Sequence, residues 1–265
     1  MKNYLTTLLL LTFTLISSSF ASNLFKKDLE LIHHKNFKIE SGKLLKLSTD
    51  GGDVAITPWH RNEVEVKIYG NENAREKYEY YFDADNQSIN IKGERKKKWK
   101  FISNIKLKYE VKVPANFNLQ ISTAGGDIKV GGVSGEISLN TSGGDIWADR
   151  LTGAVKLNTS GGDIKIFSND ASVDAKTSGG DITLEYTGQN KGIELRTSGG
   201  DIEITLPYDF SAKVELSTSG GDVSCNFKLN NVEKMSRTRI IGEINNGGNK
   251  LIATTSDGDI EVRHR

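Results

Sequence analysis

The sequence predicts an all-β fold: a parallel β-solenoid of about 18-residue coils, with an antiparallel β region capping its N-terminal side. Three observations carry that expectation. First, the phrase Thr-Ser-Gly-Gly-Asp-Ile stands at residues 141–146, 159–164, 177–182 and 197–202, with variants at 123–128 and 218–223 and outlying copies at 49–54 and 255–260. Second, its spacing is nearly constant. The aspartates at 127, 145, 163 and 181 are 18 apart, the next intervals are 20 and 21, and 37 residues separate Asp222 from Asp259, close to two repeat lengths. That last gap leaves room for one degenerate coil. Third, the segments between the phrases alternate apolar and polar residues, which is the period of a half-buried strand.

Residues 1–21 read as a secretory signal peptide: a charged start at Lys2, an apolar run from Leu5 to Ile16, and a Ser-Phe-Ala ending that places cleavage after Ala21. The run is shorter than the roughly 20 apolar residues of a membrane-spanning helix, and no later segment qualifies. No Cys follows it to accept a lipid. The expected destination is the periplasm, the cell surface or the medium.

Residues 22–116 form the first region of the exported chain. A first coil is expected around Leu45, Leu47 and Thr49, and longer alternating strands follow at residues 64–69, 78–82, 88–92 and 105–113. Polar turns such as Asp85-Asn86 join them, which suggests antiparallel pairing that covers the open end of the stack.

The repeat array occupies residues 117–265. Ile137, Leu139 and Thr141 share one face, and Ile146 and Ala148 resume it after the glycines. The same phase holds for Val155, Leu157 and Thr159 with Ile164 and Ile166, and again at 173–184 and 193–204. The repeated Thr therefore points inward. A Gly-Gly between alternating segments also suits an antiparallel hairpin. A second, looser bend in each unit, such as Leu151-Thr152-Gly153, favours the solenoid. The single cysteine, Cys225, alternates with Val223 and Phe227 and reads as a small buried hydrophobe.

The corners Gly125-Gly126-Asp127, Gly143-Gly144-Asp145, Gly161-Gly162-Asp163, Gly179-Gly180-Asp181, Gly199-Gly200-Asp201 and Gly220-Gly221-Asp222 are the strongest motif. Calcium-binding β-rolls use Gly-rich repeats with Asp, but each corner here supplies one carboxylate where Ca²⁺ takes 6 to 8 oxygens. Asp commonly accepts backbone N–H bonds in turns, so a structural corner is the preferred reading, with no metal and no cofactor. A phosphate loop would need a helix N-terminus or a Lys-Ser/Thr after the glycines, and neither follows. Ice binding would need outward Thr pairs.

The outward columns are Gln120, Ser138, Lys156, Asp174, Glu194 and Glu215, beside Ser122, Asn140, Asn158, Lys176, Arg196 and Ser217. With Trp147 counted among them, Trp147, Lys156, Lys176 and Arg196 make a candidate ligand face for a glycan or polymer. Its alternative is a solvated sheet with cross-strand charge pairs. The run Arg95, Lys96, Lys97, Lys98, Trp99, Lys100 is a candidate contact for an anionic surface or lipid headgroup, set against a solvated hairpin tip. Charge is otherwise mild: 19 Lys/Arg against 14 Asp/Glu over residues 23–114, and 15 against 20 from 115 onward. That balance argues against nucleic acid as a partner.

No catalytic constellation is found. The four histidines, His33, His34, His60 and His264, lie outside the central array without metal-ligand spacing, and no G-x-S-x-G elbow occurs.

The stretch from Val113 to Ile128, Val-Pro-Ala-Asn-Phe-Asn-Leu-Gln-Ile-Ser-Thr-Ala-Gly-Gly-Asp-Ile, followed by the repeated coils and the ending at 244–260, resembles the bacterial putative adhesin family, domain of unknown function 4097. The resemblance covers roughly residues 40 to 263. It implies an exported or envelope-associated β-solenoid and brings no catalytic residues. The expected function is therefore a non-catalytic envelope or surface module, adhesin-like or structural, whose partner is an envelope polysaccharide, lipid headgroups or another envelope protein. The competing class is a glycan-active lyase or hydrolase on the solenoid face. If the Gly-Gly-Asp corners are structural, a chelator will leave the melting temperature unchanged, and a fall of many degrees would contradict that reading.

Overall fold

Side-chain alternation sets the local structure, because every second residue must leave water while its neighbours stay in it. The computed structural model of the chain describes residues 29–96 and 104–265. The expected signal segment, residues 1–21, lies outside the described residues. In chain order the elements are β1 (Glu30–Lys38), β2 (Leu44–Thr49), β3 (Asp53–Trp59), β4 (Glu63–Gly70), the short helix α1 (Glu72–Lys77), β5 (Tyr78–Ala84), β6 (Ser88–Arg95) and β7 (Leu107–Pro114). The repeats supply β8 (Asn118–Thr123), β9 (Ile128–Gly131), β10 (Ser134–Thr141), β11 (Ile146–Asn158), β12 (Ile164–Lys176), β13 (Ile182–Thr187), β14 (Ile193–Arg196) and β15 (Ile202–Leu206). The C-terminal elements are β16 (Ala212–Ser217), β17 (Val223–Cys225), β18 (Leu229–Ser236), β19 (Arg239–Ile244), β20 (Lys250–Thr254) and β21 (Ile260–His264).

The repeats stack in parallel, as a solenoid and not as hairpins. Leu119, Ile137 and Val155 are register partners on successive coils, as are Ile128, Ile146 and Ile164 beyond the corner. Each coil gives one strand before its Gly-Gly corner and one after it. The first set forms a sheet in the order β5–β6–β2–β8–β10–β11–β12–β14–β20–β16–β19–β18. The second follows β1–β4–β7–β3–β9–β11–β12–β13–β15–β21–β17. The 13-residue strands β11 and β12 serve both sheets. β11 turns from one to the other where its register breaks, at Arg150 (φ 48°) and Gly153 (φ 99°), a left-handed conformation that favours glycine. The inward Ile, Leu and Val of both sheets fuse into one buried core, so the two outer faces point away from each other.

The expected antiparallel cap is present. β4 pairs antiparallel with β1 and β7, and β5 with β6. The Asp85 turn between β5 and β6 forms as its residues dictate, with Asp85 Oδ1 accepting the N–H groups of Gln87 and Ser88 at 2.7 Å each.

Spatial order departs from chain order at both ends. The first coil, β2 and β3, lies between β6/β7 on one side and β8/β9 on the other. The last coil, β20 and β21, lies between β14/β15 and β16/β17. Each of these coils is thus paired along both of its edges; the outermost strands are β5 and β1 on the N-terminal side and β18 and β17 on the C-terminal side. This corrects the expectation of a degenerate coil between Asp222 and Asp259. Residues 229–244 form the antiparallel hairpin β18–β19, which covers the end of the stack, and the chain then returns to insert its final coil. The outward columns change accordingly: Ile252 and Thr254 stand between Glu194/Arg196 and Glu215/Ser217.

Removal of residues 250–265 would empty a slot inside the stack and expose two facing coils at once. Such a truncated chain is expected to lose its cooperative thermal transition by circular dichroism. A transition kept within a few degrees of the full chain would contradict the interleaved order.

Candidate functional site

The corner is built from the polar atoms of four residues per coil: the Thr, the second Gly, the Asp and the Ile. In the coil at 141–146, Thr141 Oγ1 donates to the Gly126 carbonyl of the preceding coil at 2.9 Å and accepts the Gly144 N–H at 3.3 Å. Asp145 donates its N–H to Asp127 Oδ1 at 3.0 Å, while Ile128 N–H donates to the Asp145 carbonyl at 2.9 Å. The same set recurs at Thr159, Thr177, Thr197, Thr255 and Thr218. The carboxylates also link in spatial order, Asp163, Asp181, Asp201, Asp259 and Asp222, at 2.7–2.9 Å. Stacked like charges are unfavourable, and the N–H bond taken by each carboxylate offsets that cost. The threonines are buried, at 2 to 8% exposed, so their hydroxyls need these partners.

The two glycines of the corner differ. A Cβ on Gly144 would stand 2.1 Å from the Gly126 carbonyl oxygen, and on Gly162 2.1 Å from that of Gly144; the second glycine is therefore fixed by close backbone approach. A Cβ on Gly143 or Gly161 meets nothing nearer than 3.8 Å. The ladder is closed at its ends by other residues. At the C-terminal end Arg237 Nη1 donates to the Gly221 carbonyl (3.2 Å) and to Asp222 Oδ1 (2.5 Å), and its own carbonyl accepts Val223 N–H (2.7 Å). Arg237 thereby supplies what a further coil would. At the N-terminal end the Tyr109 hydroxyl meets Thr49 Oγ1 at 2.9 Å; burial pushes this phenol well above its ordinary pKa. Among the described residues no group of three or more His, Cys, Asp or Glu side chains converges as a metal site.

The four residues of the candidate ligand face are not brought together. Lys156, Lys176 and Arg196 lie on the outer face of the first sheet, whereas Trp147 follows its corner and lies on the outer face of the second. Lys176 pairs with Asp174 on its own strand (3.0 Å) and with Glu194 across to β14 (3.6 Å), and Arg196 pairs with Glu194 on its own strand, so both cations are engaged in ion pairs. Trp147 has a different neighbourhood. It is 45% exposed and stacks on Phe167 of the next coil, with ring centroids 5.8 Å apart and planes 29° from parallel. Lys129 and Lys165 are its register partners on the coils before and after. In the adjacent column Gly131, Asp149 and Phe167 follow one another. The sequence reading missed Phe167, although its outward phase follows by counting from Asp163 through Ile164 and Ile166.

Of the basic run, Arg95 and Lys96 are placed. Arg95 N–H donates to Asp50 Oδ2 (2.9 Å), Arg95 Nε donates to the Tyr78 hydroxyl (3.1 Å), and Lys96 Nζ donates to the Glu76 carbonyl (2.7 Å). These bonds tie the end of β6 to the cap. Lys97, Lys98, Trp99 and Lys100 lie outside the described residues.

Four further titratable groups are engaged in the cap and at the ends. Burial opposes ionisation of Glu65, but hydrogen bonds from Lys67, Lys112 and His34 outweigh it and pull the carboxyl down to about 2. His33 packs edge-on against Tyr80 (4.9 Å) and Phe82 (5.5 Å), and burial lowers its pKa, with Lys35 adding to the effect. His264 sits edge-on between Tyr208 and Phe227. Cys225 is half-buried, less enclosed than expected, and burial pushes its thiol up, away from nucleophilic use.

A family model described as Toastrack DUF4097 matches residues 43–154 and 104–263. No curated protein matches the chain. Similar solved structures include a putative cell adhesion protein from Clostridium sporogenes ATCC 15579, 13% identical, covering 89% of this chain and 100% of that one with a TM-score of 0.40. A putative adhesin from Bacteroides fragilis NCTC 9343 is 11% identical over 89% of this chain and 98% of that one, TM-score 0.39. A putative lipid binding protein from Parabacteroides distasonis ATCC 8503 is 13% identical over 90% and 98%, TM-score 0.42.

The two corner glycines give a paired test. Gly162→Ala is expected to destabilise by about 1–3 kcal/mol or more through overpacking against the Gly144 carbonyl, and Gly161→Ala by less than about 0.5 kcal/mol. Denaturant melts of the two variants check this, and equal losses would contradict the close-approach account.

Proposed function

The chain belongs to the Toastrack DUF4097 family, and on that premise we propose that it is a non-catalytic, exported module of the cell envelope or surface, binding or structural in the manner of an adhesin. One observation carries the reading. The repeated corner Thr and Asp spend hydrogen bonds on neighbouring coils, which leaves two broad outer faces as the surfaces offered to a partner. A surface of this kind suits recognition of an extended partner more than chemistry on a small molecule, which calls for a concave site with converging groups. The contacts of His33, His34 and His264 and the raised thiol of Cys225 support the same reading.

Export rests on the pattern of residues 1–21. Among the described residues no helix is long and apolar enough to cross a membrane. The mature chain in this account begins at Ser22, with residues 22–116 providing the cap and first coil and 117–265 the repeat array. Attachment to the envelope is then a matter of its partner, whether polysaccharide, lipid headgroup or another envelope protein.

Expression of the full chain in a bacterial host, with fractionation and N-terminal sequencing, tests the reading together with an assay for new reducing ends or unsaturated products on bacterial polysaccharides. The expected result is a chain starting at Ser22 in the periplasmic, envelope or extracellular fraction that releases no product. A chain keeping Met1 in the cytosol would overturn export, and turnover would favour the glycan-active class.

A further inference from the structure

We propose that the outer face of the second sheet around Trp147 binds a short segment of an acidic polysaccharide, with a sugar ring stacked on the indole and its carboxylates held by Lys129 and Lys165. The inference rests on the reading of the chain as a binding module and names the class of its ligand.

Three observations converge on this patch. Trp147 and Phe167 form one continuous aromatic surface across two coils, and nearly half of the Trp147 side chain faces solvent. An exposed aromatic plane on a rigid sheet offers a sugar ring a partner at little entropic cost, since the rings are already fixed by stacking on each other.

The second observation is charge. Lys129 and Lys165 flank Trp147 on the neighbouring coils, roughly 10 Å apart as two strand spacings require. Among the described residues neither makes an ion pair; Asp149 is taken by Arg150 at 2.8 Å and Glu110 by Lys108 at 2.7 Å, and Glu185 stands one strand beyond Phe167. The patch therefore presents two uncommitted ammonium groups about an aromatic plane.

The third is relief. Gly131 is the register partner of Asp149, and Ala55 that of Lys129, so around Lys129 the strip beside Trp147 toward the cap is floored by small residues. A ring can lie against the indole there with the Lys129 side chain as its one long neighbour.

The same face discriminates between a polymer segment and a membrane. Beyond Lys165 and Phe167 it carries three carboxylates, Glu185, Glu203 and Glu261, against one guanidinium, that of Arg263, which lies 3.6 Å from Glu203 and 3.9 Å from Glu261. A flat anionic bilayer laid on the sheet would meet these carboxylates, while a narrow chain confined to β9, β11 and β12 avoids them.

Affinity electrophoresis of the mature protein through gels containing polygalacturonate, alginate or neutral dextran tests the proposal. The wild type is expected to be retarded by an acidic polymer and not by dextran, more weakly as salt is raised. Trp147→Ala and the double variant Lys129→Ser/Lys165→Ser are each expected to weaken the apparent Kd by about tenfold or more with unchanged melting temperature. Lys156→Ser, on the opposite sheet, is expected to behave as wild type. No retardation by either acidic polymer, retardation unchanged in both patch variants, or binding only to phosphatidylglycerol vesicles would overturn the proposal. Fragmentation of the polymers would instead overturn the non-catalytic reading, whichever variant produced it.

Discussion

A buried threonine hydroxyl, a bare glycine and one aspartate carboxylate, repeated once per coil, hold this molecule in register. The three act together. The second glycine lets the backbone of each corner close onto the carbonyl of the coil before it, at a distance where no Cβ fits. That approach brings the Thr hydroxyl to the same carbonyl and aligns each Asp N–H with the preceding carboxylate. Parallel strands give slightly less stabilisation per residue than antiparallel ones, and a slip of one residue would turn every inward Ile and Leu to solvent. A fixed corner removes that freedom once for each coil, and the strands on either side inherit its register.

The ladder also sets how the ends are finished. A stack held by identical corners would continue indefinitely unless its last donors and acceptors were satisfied by something that is not a coil. Arg237 does this at one end, where its side chain and carbonyl stand in for the next corner, and Tyr109 meets the first Thr at the other. The antiparallel segments then cover the open strands: β1, β4 and β5 on the N-terminal side, β18 and β19 on the C-terminal side. The first coil (β2, β3) and the last coil (β20, β21) both occupy interior slots of the stack, so local fraying of either must break ladders on two sides. Such closure costs loop entropy during folding and returns it as cooperativity, since no terminal coil can leave alone.

Much of the architecture was legible in the residues. The period of the phrase, the inward phase of Thr141 and its equivalents, the turn at Asp85 and the antiparallel cap all follow from alternation and turn chemistry. The interleaving did not, for a physical reason: the corners are chemically alike, so a coil ending in Thr197 accepts one beginning at Lys250 as readily as one beginning at Ala212. Identical repeats encode how coils pair and leave open which coils pair. Helix α1, six residues held by the Asn71 cap, was too short to leave a helical period. The ligand face was misassembled because Trp147 follows its corner while Lys156, Lys176 and Arg196 precede theirs, and the corner sends those two sets to opposite sheets. The neighbours that matter to Trp147, namely Lys129, Lys165 and Phe167, sit one coil away on either side. They emerge only once the parallel register is known.

Native-state amide hydrogen exchange tests the corner ladder most directly. The N–H groups of Asp145, Asp163, Asp181, Asp201 and Asp259 lie in turns at or near the surface, where exchange is ordinarily fast. If each is held by the carboxylate of the preceding coil, they will exchange as slowly as core strand amides such as Leu157, and Asp259 will be protected with the rest although it belongs to the C-terminal coil. Exchange of these amides at the rate of open turns, with the core strands still protected, would contradict the ladder as the interaction that sets the stack.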